Sequence, residues 1–147
     1  MPDLFSDLTE SWEAFAGSAS GRRTLRQWQE AENLLTTFVA LTDVVTAAQA
    51  RTRGRAAMDA RDEIHLAILR LAANDADARH AALYLLRPGL AQLTRKYRDR
   101  FGEDTASAAV EAALDRIVNY PHGRPRPAAC ILRHVDHVLW RAHLRQL

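Results

Sequence analysis

Pro121-His-Gly-Arg-Pro-Arg-Pro-Ala-Ala-Cys-Ile-Leu-Arg-His-Val-Asp-His-Val-Leu-Trp-Arg-Ala-His-Leu-Arg-Gln-Leu147 joins a proline-punctuated basic loop to an amphipathic stretch. Placed at 100° per residue, Ile131, Leu132, Val135, Val138, Leu139 and Ala142 fall on one face of a helix, which must bury against other elements. On the opposite side Trp140 sits with Arg133, His137, Arg141 and Leu144. A tryptophan in a basic stripe, across from the core face, exceeds what a bundle helix needs for packing. The stretch therefore predicts both a helical bundle and an outward face with a use.

Working back from it, Tyr120-Pro121 ends a helix over Ala106–Asn119 whose core stripe is Val110, Leu114, Ile117 and Val118. Gly102-Glu-Asp-Thr105 opens that helix and closes the one before, which carries Ala81, Leu83, Tyr84, Leu85 and Leu86, then Leu90, Leu93 and Tyr97. Pro88-Gly89 interrupts this pattern and predicts a kink or a one-turn break. Asn74-Asp-Ala-Asp77 stops a helix over Ala60–Ala73 and caps its successor. Arg51-Thr-Arg-Gly-Arg55 reads as a polar loop. A long helix is expected from Thr24 to about Gln49, weakened by the β-branched Thr36-Thr37 and Thr42 to Thr46. Gly17-Ser-Ala-Ser-Gly21 reads as a mobile connector. Leu4–Ala16 places Phe5, Leu8, Trp12 and Phe15 on one stripe, with Ser6 or Asp7 as its cap. No alternating run argues for a strand. The fold class expected is all-α, a helical bundle with residues 1–55 as an N-terminal helical extension and residues 56–147 as the main helical unit.

The 147 residues suffice for one core without staples. No run of apolar residues is long enough to span a membrane, and the acidic start lacks the features of a signal peptide. The single cysteine, Cys130, excludes an intrachain disulfide and suits a reducing cytoplasm. The formal charge of +2 hides an asymmetry: the net is −3 through Leu85 and +5 from Leu86 onward. The second half carries the field that attracts a polyanion.

From about Ala82 onward the layout resembles region 2 of the sigma-70 family of bacterial RNA polymerase sigma factors, especially the extracytoplasmic-function type. Leu86-Arg-Pro-Gly-Leu-Ala-Gln-Leu-Thr-Arg-Lys-Tyr97 is similar to a family helix ending in arginine and an aromatic. The segment from Gly102 to Val118 resembles the second helix, opened by an acidic turn. The segment from Arg124 to Arg145 resembles the arginine-rich loop and final helix. The resemblance implies that this loop and helix engage promoter DNA at the −10 element and its melted strand. It also implies that the second helix, where Glu111 fits the family's glutamate, faces the polymerase core. Ser107 and Val110 replace that helix's acidic residue and glutamine, and Cys130 stands in for a tryptophan. The second DNA-binding domain of the family has no counterpart.

The residues themselves give the same face a chemistry. Arg124 and Arg126, set between prolines in a loop held extended, present guanidinium forks to phosphates. Arg133, His137, Arg141 and Arg145 continue the track along the helix. Trp140 can stack on an unpaired base or hold an arginine by cation–π attraction. The competing reading packs Trp140 and Leu144 against the N-terminal helices. Trp12, Phe15 and Trp28 are most simply core, yet an exposed remnant of their stripe would mark a protein-docking surface or a homodimer. His134, His137 and His143 lack further ligands for a metal, and Cys130 lacks a third group to make a nucleophile. No phosphate-cradling glycine loop, His-Glu-x-x-His or Gly-x-Ser-x-Gly occurs. The expectation is a non-enzymatic, cofactor-free DNA-binding regulator. The alternative is a module that binds RNA polymerase, another regulator or itself.

Overall fold

The structure is a computed structural model that describes residues 3–50 and 53–145; Arg51 and Thr52 of the expected loop, and Gln146 and Leu147, lie outside them. Seven α-helices and no strand occur among the described residues: α1 (Leu4–Ala16), α2 (Ala19–Ala31), α3 (Leu41–Ala48), α4 (Arg55–Ala72), α5 (Ala76–Phe101), α6 (Thr105–Val118) and α7 (Pro127–Arg145). The all-α bundle is as the periodicity required. Among these residues no helix is long and apolar enough to cross a membrane.

The N-terminal helices are set by side-chain hydrogen bonds that spacing does not reveal. Asp3, rather than Ser6 or Asp7, caps α1 by accepting from the Phe5 amide at 3.1 Å. The glycine-serine stretch after α1 is a tight corner, not a loose connector. Ser18 Oγ accepts from the Gly21 amide at 3.1 Å, and Gly21 presses so closely on the Phe15 and Ala16 carbonyls that a Cβ would not fit. The single helix expected from Thr24 to Gln49 is two, parted by a 3₁₀ turn at Asn33–Leu35 and an irregular segment. Gln29 holds the break open by donating from Nε2 to the carbonyls of Leu35 (3.2 Å) and Phe38 (2.8 Å).

α4 begins at Arg55, earlier than the Ala60 expected. Asp75 caps α5 as predicted, with Oδ1 accepting from the amides of Asp77 (2.8 Å) and Ala78 (3.2 Å). Its Oδ2 accepts from Trp28 Nε1 at 3.0 Å, so one carboxylate both starts α5 and ties α2 to it.

α5 is the hub, packing against α1, α3, α4, α6 and α7. It runs unbroken through Pro88, so no one-turn break occurs there. Proline cannot donate to the carbonyl four residues back, and that carbonyl, on Tyr84, instead accepts from Arg87 Nη1 at 2.7 Å. The same guanidinium lies 3.7 Å from the centre of the Tyr84 ring. One residue on, Gly89 leaves room for Leu132 of α7, whose methyls occupy the space a Cβ would take. Ile131, Val135 and Leu139 of α7 are buried in one continuous core that also holds Trp12, Trp28 and Leu35.

Candidate nucleic-acid interface

α7 presents its two faces as the wheel placed them. Pro127 supplies its first turn, where no amide donor is needed. The Arg126 carbonyl accepts the first intrahelical bond, from the Cys130 amide at 3.0 Å. Opposite the buried Ile131, Val135 and Leu139, the side chains of Arg133, His137, Trp140, Arg141, Leu144 and Arg145 are exposed. Trp140 retains 44% of its surface and Leu144 47%. The indole is therefore not sealed beneath the N-terminal helices; its ring lies against that of His143, centroids 5.4 Å apart.

The last turns of α5 lie beside this face and add residues that the sequence reading did not include. Lys96, Tyr97 and Arg100 of α5, with Arg133, Asp136, His137 and Trp140 of α7, line a groove of about 420 Å³. Lys96 and Arg100 are four apart and so share a helix face. Which neighbour that face meets depends on the α5–α7 packing at Gly89 and Leu132, which no local pattern encodes. A second depression continues the groove towards Gly89, Gln92 and Leu93.

Asp136 organises the floor. Its Oδ1 accepts from the Tyr97 hydroxyl at 2.5 Å and from Lys96 Nζ at 3.1 Å, and Oδ2 lies 3.3 Å from the same ammonium. Partial desolvation pushes the Asp136 carboxyl up, but the Tyr97 hydroxyl and then Lys96 outweigh it and leave it below the ordinary carboxylate range. The hydrogen bond to Asp136 holds the Lys96 ammonium above its usual value. Desolvation, then the bond to Asp136, raises the Tyr97 phenol. The groove thus carries a fixed anion among Lys96, Arg100, Arg133 and His137.

The basic loop divides. Arg124 is exposed, its carbonyl accepting from the Tyr120 hydroxyl at 3.0 Å, and its guanidinium enters no ion pair among the described residues. Arg126, expected to present its guanidinium from an extended loop, is turned towards α4 instead. Its φ is 56°, and its Nη1 bridges Asp59 (3.0 Å) and the buried Asp62 (2.5 Å) of α4. Two carboxylates from a distant helix consume the charge that the local sequence left open.

The proposed docking remnant also changes. Trp12 and Trp28 are 1% and 0% exposed, Trp12 packing against Phe15, His80 and Tyr84, so neither can anchor a partner or a homodimer. Phe15 is half-buried against the same core. Glu111 is exposed on α6, beside an apolar groove of about 430 Å³ formed with Leu4, Val110, Leu114 and Val118. Histidines 134, 137 and 143 do not converge: no group of three or more His, Cys, Asp or Glu side chains is arranged to hold a metal among the described residues. Compared with protein-family models, curated proteins and solved structures, the chain finds no match.

Proposed function

We propose that the chain is a DNA-binding regulatory protein of the cytoplasm that grips nucleic acid along the α5–α7 groove and the adjoining loop. The observation that supports this reading is the exposed Trp140 at a groove edged by Arg100, Arg133 and His137, beside a Lys96 already paired with Asp136, with the exposed Arg124, Arg141 and Arg145 extending the track. Guanidinium groups position a phosphate backbone, and an exposed indole offers a stacking surface to any base. The resemblance to sigma factor region 2 supports the same face and adds a transcriptional setting. Arg126 is not part of the contact set.

The test is a titration with single-stranded and duplex DNA at two salt concentrations. Trp140→Ala is expected to weaken single-strand binding by roughly tenfold, in line with about 1–3 kcal/mol per stacked base. Arg124→Ala combined with Arg141→Ala is expected to lower the salt slope by about 2. Undetectable affinity at low salt, or an unchanged slope, removes the reading.

A second reading rests on the other groove. Leu4, Val110, Leu114 and Val118 form an apolar channel bordered by Glu111 and Asp115, a surface suited to a protein partner with basic flanks. In the sigma resemblance this helix faces the RNA polymerase core. Glu111→Lys with Val118→Asp is expected to abolish co-purification of such a partner while leaving DNA affinity intact.

A further inference from the structure

A nucleic-acid groove needs cations, yet this one has a carboxylate in its floor. Asp136 lies four residues before Trp140 on α7, a rise of about 6 Å and little more than one turn, so both line the same cavity. Tyr97 and Lys96 saturate much of Oδ1, whereas among the described residues Oδ2 is approached only by Lys96, at 3.3 Å. An ionised carboxylate accepts through about four lone-pair positions and donates none, so Oδ2 keeps acceptor capacity toward the groove. A phosphate is repelled from this point. A base stacked on the indole would bring its edge there.

We propose that Asp136 is the base-selecting residue of this groove, accepting a hydrogen bond from the exocyclic amine of a base stacked on Trp140. The inference rests on the nucleic-acid reading above and deepens it by naming the ligand: a single strand carrying cytosine or another amino-bearing base. Cytosine offers its N4 amine to a carboxylate, a pairing that aspartate and glutamate make at base edges. Uracil and thymine place carbonyl oxygens on either side of their one ring N–H, and the fixed anion repels both. Tyr97 and Lys96 are positioning residues: by gripping Oδ1 they prevent the carboxylate from swinging out to solvent. Its pKa, held below the ordinary carboxylate range, keeps it an acceptor at neutral pH.

Fluorescence anisotropy with short oligo(dC) and oligo(dU) at neutral pH and low salt separates the possibilities. The wild-type protein is expected to bind oligo(dC) roughly fivefold to tenfold more tightly than oligo(dU). Asp136→Asn, nearly isosteric, turns an amide donor toward the groove, so the ratio should fall to about one or invert while affinity for both strands rises. Asp136→Ala should lose the preference without inverting it. Far-UV circular dichroism of both variants establishes that they fold. Equal wild-type affinities, or an unchanged ratio in both variants, overturns the assignment of Asp136 and leaves the groove a sequence-blind polyanion site. Binding of neither strand overturns the nucleic-acid reading and this inference with it.

Discussion

Arg126 shows how one residue can be pulled from a presumed surface role into the architecture. Its left-handed backbone, φ 56°, carries a cost of about 1–3 kcal/mol for a residue with a Cβ. The bridge to Asp59 and the buried Asp62 offsets it, and also neutralises a carboxylate that otherwise has, among the described residues, only Arg61 as a cation, at 3.0 Å. Removing the guanidinium while keeping the Cβ loses the bridge and retains the strain. Arg126→Ala is therefore expected to lower the urea midpoint. Arg126→Gly loses the same bridge but relaxes the backbone, so its loss should be smaller by about 1 kcal/mol. Urea denaturation of the two variants checks the order; equal losses would show that the left-handed turn is not strained. Neither variant should lower DNA affinity beyond what removal of one distant charge does.

Among the elements, α5 departs most instructively from its sequence pattern. A proline in mid-helix removes a donor, and the apolar spacing around Pro88 gave no sign that the carbonyl left behind would find another. Arg87 supplies it by folding back on Tyr84, in donor contact with the carbonyl at 2.7 Å and in cation–π contact with the ring. In the wild-type background Arg87→Ala should cost about 1–2 kcal/mol, since a carbonyl in a packed helix loses its partner. In a Pro88→Ala background the restored amide can pair with Tyr84, and the same Arg87→Ala change should cost markedly less. A double-mutant cycle measures this coupling. Additive effects would mean that Arg87 contributes through ring stacking alone. The contrast with α2 and α3 explains what was legible. Capping at Asp75 was readable because the acceptor lies two or three residues from its donors. The break after Ala31 was masked by apolar spacing that runs on through Leu35 and Phe38, and only the folded-back Gln29 shows why the chain turns. Half of the groove was readable for the same reason: Arg133, His137 and Trp140 share one helix face. Lys96 and Arg100 join them only through packing between helices.

At the scale of the molecule, the shared core makes stability answer to pH through a histidine that no functional reading touched. His65 of α4 is 3% exposed, and its Nε2 is buried without a hydrogen-bond partner among the described residues. Burial lowers its pKa from 6.5 to about 4; the Asp62 carboxylate offsets part of this shift and Arg61 reinforces it. As pH falls from about 6.5 towards about 4, the unfolded chain takes up a proton at this site that the folded chain refuses, so stability declines through that window. The whole difference is on the order of 3 kcal/mol. His80 and His134, both lowered chiefly by desolvation, act with the same sign, so the slope belongs to several groups. Asp136, held below its ordinary value, loses its contribution only at more acidic pH and does not confound the window. His65→Leu removes both the titration and the orphaned nitrogen. Its urea midpoint should match or exceed the wild type at pH 7.5, and the advantage should grow by about 2 kcal/mol at pH 5. Parallel wild-type and variant stabilities between these two pH values would show that His65 is hydrated in solution and that the core opens beside Asp62.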